Sequence, residues 1–231
     1  MSRKFNRIPA SNRGIQKKIY VHEQAVTLLT PTQSMVFGLL MFGISKFGQS
    51  TASKGTLAKR LGCERKTVQL AIKKLTELGW VKEQEYDCPA GLASFPGEKL
   101  PDSIRNAYSA LIKTNSKSSK SGLLIEVKLK PFENVNAANK ARKKAAMLRM
   151  LYFVTGLIAY RTASFAKRNN KAARCFYRNK TALANALNVT RKTAVKYLRI
   201  LSEDTKQPLF KQVRTAKGLY LDASDYFIKE Y

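Results

Sequence analysis

Residues 57–67 read LAKRLGCERKT, and residues 183–193, which lie 126 positions later, read LANALNVTRKT. Extending the pair to 56–75 and 182–201 without a gap keeps Leu57/Leu183, Ala58/Ala184, Leu61/Leu187, Arg65/Arg191, Lys66/Lys192, Thr67/Thr193 and Leu75/Leu201. The apolar identities recur at helical spacing and the basic ones fall together just after a turn. Between them stands Gly62 in one copy and Asn188 in the other. These residue types tolerate a left-handed backbone best, so the match is a shared conformational demand as well as a shared spelling.

Working outward, Ser53 suits the cap of a helix ending at Leu61, and a second helix from Arg65 to about Leu78 turns Val68, Ala71, Ile72 and Leu75 inward before Gly79 closes it. Ahead of the pair, Thr30 and Pro31 open a helix over PTQSMVFGLLMFGISKF, with Met35, Leu39, Phe42 and Phe47 expected on one face. Residues 19–29 read as a short strand leading into it. WVKEQEYD (80–87) alternates as a strand, and LLIEVKLK (123–130) reads as the returning strand of a wing enlarged by the loop 88–122. Within that loop DSIRNAYSALIK (102–113) has helical spacing and TNSKSSKSG (114–122) is small and polar.

The second copy has the same surroundings. A helix is expected over about 137–165, with Leu148, Leu151, Tyr152 and Ile158 near one stripe. Asn179 and Thr190 are placed to cap the helices ending at Leu187 and Leu201. LFKQVRTAKGLYLD (209–222) reads as a hairpin turning at Thr215–Gly218, and the chain ends in an expected short helix.

Helix, tight turn, basic-headed helix and hairpin is the order of a winged helix-turn-helix, which presents its second helix to the DNA major groove. The expected fold is therefore α+β, mainly α with small β-hairpins, built as two winged helix-turn-helix domains in tandem. The expected division is a basic flexible arm (1–18), an N-terminal domain (19–131) carrying the inserted loop 88–122, and a C-terminal domain (132–231). On the first recognition helix Arg65, Lys66, Thr67, Gln69 and Lys73 are the expected DNA-binding residues. On the second they are Arg191, Lys192, Thr193, Lys196 and Arg199, joined by Arg214 and Lys217 from the wing. Arginine can bond guanine in a fork, glutamine can bond adenine, and lysine or threonine more often holds phosphate.

Residues 30–82, including TPTQSMVFGLLMFG and LAKRLGCERKTVQLAIKKLTELGWVK, resemble the helix-turn-helix domain found in phage and plasmid replication proteins and some regulators. The pair of domains is similar in layout to tandem winged-helix plasmid replication initiators. Glu64 departs from the pattern, since such domains usually have a serine or threonine cap there.

Charge points to the same partner. Forty-three Lys and Arg against fifteen Asp and Glu give a formal net charge of +28, and the isoelectric point is about 10.2. A field of that sign attracts polyanions. The 69 residues between Glu133 and Glu203 hold sixteen Lys and Arg and no carboxylate. The first hairpin instead carries Glu83, Glu85 and Asp87, whereas the second carries Lys211, Arg214 and Lys217, so the C-terminal domain is expected to bind DNA more strongly. Phe176 and Tyr177 lie among Arg174, Arg178 and Lys180; packing is their expected role rather than base stacking.

Catalytic sets are scarce. His22 is the only histidine, no GxxxxGK[ST] run occurs, and Cys63, Cys88 and Cys175 form no CxxC pair. The acids near 83–87 and 222–230 read as surface carboxylates, so no enzyme, cofactor or metal is expected. The apolar run 147–160 is too short to span a bilayer and contains Arg149. The expectation is a cytoplasmic, nucleoid- or plasmid-associated protein whose partner is double-stranded DNA. The stripe 147–158 offers a homodimer surface, and host replication or transcription machinery is a further expected partner. An origin-binding replication initiator leads, followed by a transcriptional repressor or activator, a non-specific architectural protein and an RNA binder.

Overall fold

The computed structural model describes residues 18–114, 124–128, 174–203 and 208–223, together with Val154. The expected basic arm up to residue 17, the helix over 137–165 with its stripe at 147–158, and the closing helix after residue 223 fall outside these residues, apart from Val154, which is helical and buried. The described chain is mainly helical with small antiparallel sheets.

The N-terminal part runs β1 (Lys18–His22), α1 (Glu23–Leu28), α2 (Pro31–Phe47), α3 (Lys54–Leu61), α4 (Arg65–Glu77), β2 (Val81–Glu85), β3 (Leu92–Pro96), α5 (Asp102–Thr114) and β4 (Leu124–Lys128). The expected strand over 19–29 is thus a strand only to His22 and a helical turn beyond it. His22 makes the change by accepting a hydrogen bond from the Gln24 N–H on its Nδ1 at 3.2 Å. Thr30 and Gln33 form a capping box at the start of α2, and Gly48, at φ 78°, ends that helix in the left-handed region.

Helix α2 is the central post of this part. Eleven of its seventeen residues are buried, so it has no single apolar stripe. Met35 and Leu39 lie inside as expected, but Phe47 is 54% exposed. It sits in the last turn, where Lys46 Nζ lies 5.2 Å from its ring centroid. Phe37 stacks obliquely on Trp80 at 5.2 Å and meets Tyr108 of α5 edge-on at 6.4 Å. Gly38 lets β1 cross α2 closely: a Cβ there would run into the backbone carbonyl of Tyr20 and lie 2.9 Å from a Val21 methyl.

Strand β4 is not the returning strand of the wing. It pairs antiparallel with β1, Ile19 opposite Val127 and Val21 opposite Ile125. The hairpin begun by β2 is closed instead by β3, whose Ser94 lies opposite Glu83. The stretch 88–122 is therefore not one loop, since it contains β3 and α5. The physical reason lies in burial. Leu124, Ile125 and Val127 are all buried, and since neighbours along a strand face opposite ways, both faces of β4 are covered where it pairs with β1. A solvent-facing hairpin tip would have left them wet. Ser50, just after α2, forms an isolated antiparallel bridge with Ser94, so the spatial order is Ser50, β3, β2. At the base of the hairpin, Gly97 N–H donates to the Trp80 carbonyl and Lys99 N–H to the Gly79 carbonyl, each at 2.9 Å.

The C-terminal part runs β5 (Arg174–Tyr177), α6 (Lys180–Ala186), α7 (Arg191–Ser202), β6 (Phe210–Thr215) and β7 (Gly218–Ala223). The hairpin turns between Thr215 and Gly218 as expected, and β5 joins it in the order β5-β7-β6. Tyr177 is a buried strand residue, so it packs rather than stacks on a base. Ser202 Oγ accepts from Gln212 Nε2 at 2.9 Å and donates to the Leu198 carbonyl at 2.7 Å, which ties the hairpin to α7.

Two outcomes follow. Gly38→Ala should lower stability by about 2 kcal/mol despite alanine's better helix propensity, because the obstruction is backbone; denaturant unfolding measures it. His22 is buried, its Nε2 has no hydrogen-bond partner, and burial lowers its pKa from the ordinary 6.5 against a smaller opposing effect from Glu23. The unfolded chain therefore takes up a proton before the folded one does. Stability should be full above pH 6.5 and fall as pH drops through the lowered folded value. His22→Asn, which keeps a capping side chain, should flatten that part of the stability profile.

Candidate nucleic-acid interface

Each of the two helical pairs turns on one left-handed residue. Gly62 ends α3 at φ 61° and ψ 38°. Asn188, beyond α6, has φ 49° and is the only non-glycine with positive φ among the described residues. The hydrogen bonds around the corners correspond one by one. Cys63 N–H donates to the Ala58 carbonyl and Val189 N–H to the Ala184 carbonyl, both at 3.0 Å. Gly62 N–H reaches the Lys59 carbonyl at 3.4 Å, and Asn188 N–H the Asn185 carbonyl at 3.0 Å. Ala58 and Ala184 are buried, and their small side chains let the following helix approach.

The caps of the leading helices also agree. Ser53 Oγ accepts from Thr56 N–H at 3.0 Å and Asn179 Oδ1 from Ala182 N–H at 2.8 Å. At the second helices the copies part. Thr190 Oγ1 accepts from Thr193 N–H at 3.2 Å, whereas Glu64 makes no capping bond through its side chain. The departure noted in the sequence is thus a missing cap, and α4 begins with its first amides unsatisfied by a side chain.

The expected binding residues cluster accordingly. On α4, Val68, Ala71, Ile72 and Leu75 are buried, while Arg65, Lys66, Gln69 and Lys73 are exposed and Thr67 is half-buried. On α7, Ala194, Tyr197, Leu198 and Leu201 face inward, with Arg191, Lys192, Lys196 and Arg199 exposed and Thr193 half-buried. Arg214 and Lys217 are exposed at the tip of the β6–β7 hairpin. Neither Arg65 nor Arg191 heads a helix hidden inside its own part of the molecule.

Sequence reasoning overlooked three positions. Leu70 is 57% exposed. It continues the outward row Lys66–Leu70–Lys73, and counting one helical turn on from Lys66 would have found it. Glu77 and Glu203 close the two outward rows at equivalent places. Glu77 pairs with Lys74 at 3.8 Å and Glu203 with Arg199 at 3.3 Å. In the first hairpin Glu83 is drawn back to Lys54 Nζ at 3.1 Å, at the start of α3, so its charge is matched within the domain. Glu85 and Asp87 remain exposed nearer the tip.

Among the described residues no three His, Cys, Asp or Glu side chains gather as metal ligands. No helix among them is long and apolar enough to cross a membrane. The cap difference has a measurable consequence: Glu64→Thr should stabilise the N-terminal part by about 1 kcal/mol, and Thr190→Ala should destabilise the C-terminal part by about the same amount. Thermal melts of the two variants against the parent test both signs.

Comparison with known proteins agrees with this geometry for the first pair. A family model described as a helix-turn-helix domain matches residues 27–81, which cover α2, α3 and α4 and reach the first residue of β2. No curated protein and no solved structure matches the chain. The protein carries a helix-turn-helix domain near its N-terminus, and through that domain it is a DNA-binding protein.

Proposed function

We propose that the chain is a sequence-specific binder of double-stranded DNA with two winged helix-turn-helix units, α4 and α7 being its recognition helices. The observation that carries this is the corner repeated at Gly62 and Asn188, with the same backbone bonds around it. The surrounding strands support it. A residue or strand ahead of the leading helix joins the far strand of the hairpin in both parts, as Ser50 with β3 and β5 with β7. The proposal keeps the unit boundaries expected from the sequence, 19–131 and 132–231.

Arg65, Lys66, Thr67, Gln69 and Lys73 are assigned to the first groove surface. Arg191, Lys192, Thr193, Lys196 and Arg199 are assigned to the second, with Arg214 and Lys217 on the adjoining phosphates. The wings differ in sign. Lys211, Arg214 and Lys217 line the second and favour phosphate, while Glu85 and Asp87 near the first tip oppose it. The pairing of Glu83 with Lys54 reduces that opposition without removing it. The C-terminal unit is accordingly the stronger anchor.

Two reading units in one chain suit a repeated or bipartite site engaged by a single molecule. That favours an origin-binding replication initiator of plasmid or phage type, recruiting host machinery to marked repeats. A transcriptional regulator at a promoter operator is the second reading, favoured by the same pair of helices acting on one palindrome.

Selection of bound duplexes from a random pool, followed by footprinting, tests the scheme. Tandem repeats support the initiator, a lone palindrome supports the regulator, and equal affinity for all duplexes defeats both. Charge reversal separates the units. Lys192→Glu with Arg199→Glu should cost more affinity than Lys66→Glu with Lys73→Glu. Each pair should flatten the dependence of log affinity on log salt by roughly two, as expected for two lost phosphate contacts.

A further inference from the structure

Among the described residues four large apolar side chains stand exposed: Leu28, Phe47, Leu70 and Leu92. Leu28 and Phe47 end their helices and Leu92 begins a strand. Leu70 alone stands mid-helix, 57% exposed, opposite the buried face of α4. Lys66 precedes it by one turn, Gln69 lies beside it, and Lys73 and Lys74 follow.

The second unit supplies a comparison within the molecule. At the position equivalent to Leu70 it has Lys196, between Lys192 and Arg199, which match Lys66 and Lys73. A surface serving only to hold phosphate gains from lysine at that point and nothing from leucine. The substitution of an aliphatic group in the middle of a cationic row calls for a complementary apolar feature.

We infer that Leu70 contacts the C5-methyl group of a thymine in the major groove and so fixes part of the base preference of the N-terminal unit. This rests on α4 being a groove-reading helix, as proposed above. The major-groove edges of base pairs offer hydrogen-bond donors, acceptors and one apolar group, the thymine methyl. Leucine can recognise only the last. Four residues along a helix advance about 6 Å, close to two base-pair steps of about 3.4 Å. Lys66 and Leu70 therefore address different steps of one site. A second copy of this chain is a poorer occupant. It would bring its own charge of +28 against Lys66, Lys73 and Lys74.

The test uses the full chain and a duplex recovered by selection, with each thymine replaced singly by uracil, which keeps the base pair and removes the methyl. At one position uracil should weaken the parent protein about three- to fivefold, the worth of one buried methyl. Leu70→Ala should lose a similar factor on the thymine duplex and show no further loss with uracil. Leu70→Lys, copying the second unit, should bind the thymine and uracil duplexes alike. Leu70→Ala binding the thymine duplex as well as the parent overturns the proposal, as does an unchanged uracil penalty in that variant. A shift in its sedimenting mass, with the penalty retained, overturns it in favour of a contact between copies. Lys66→Glu with Lys73→Glu is the separate control: undiminished binding by that variant would remove α4 from the groove, and this proposal with it.

Discussion

One backbone residue in the left-handed region sets the angle between α3 and α4, and the rest of the interface depends on it. Gly62 adopts φ 61° at no steric cost, and the next amide bonds back to the Ala58 carbonyl. That bond fixes where α4 starts and hence which of its faces turns outward. Asn188 does the same at φ 49°, in a conformation that asparagine tolerates better than most residues with a Cβ. The cationic rows on α4 and α7 are consequences of these corners. Shifted by one residue, the same letters would send Val68 or Ala194 into water and bury a lysine.

A second constraint is the burial of α2 on almost every side. Its residues meet β1 through Gly38, Trp80 and Tyr108 through Phe37, and α4 on a further face. The Tyr108 hydroxyl donates to the Tyr20 carbonyl at 2.8 Å, and full burial raises its pKa above the usual tyrosine value. A helix held in this way gives α3 and α4 a fixed platform, so that charge on α4 can be presented without disturbing the core.

Local features were legible in the sequence because one or two residues decide them. Thr30, Ser53, Asn179 and Thr190 cap where their side chains reach the right amide, and Thr215–Gly218 turns a hairpin within its own span. Pairing between distant segments was not legible. β4 follows β1 by about a hundred residues, and no local pattern says which strand completes which sheet. LASFP lacks clean alternation and ends in proline, so β3 was concealed. Phe47 was misread because periodicity ignores where neighbouring elements stop. The exposure of the cationic positions on α4 and α7 was legible from helical spacing. Leu70 was passed over because an apolar letter in a helix suggests core, although Val68, Ala71, Ile72 and Leu75 already filled the inward face.

The base of the first hairpin is also where it joins α4. Gly97 lies so near the Gly79 carbonyl that no side chain fits between them, and the bonds from Gly97 and Lys99 lock both strands to the end of α4. Helix α4 and the hairpin are consequently joined at Gly79 and Trp80 by short backbone bonds as well as by the chain itself. Beyond the last ladder pair, Glu85 with Leu92, six residues including Asp87 make the turn and carry its exposed charge away from that junction.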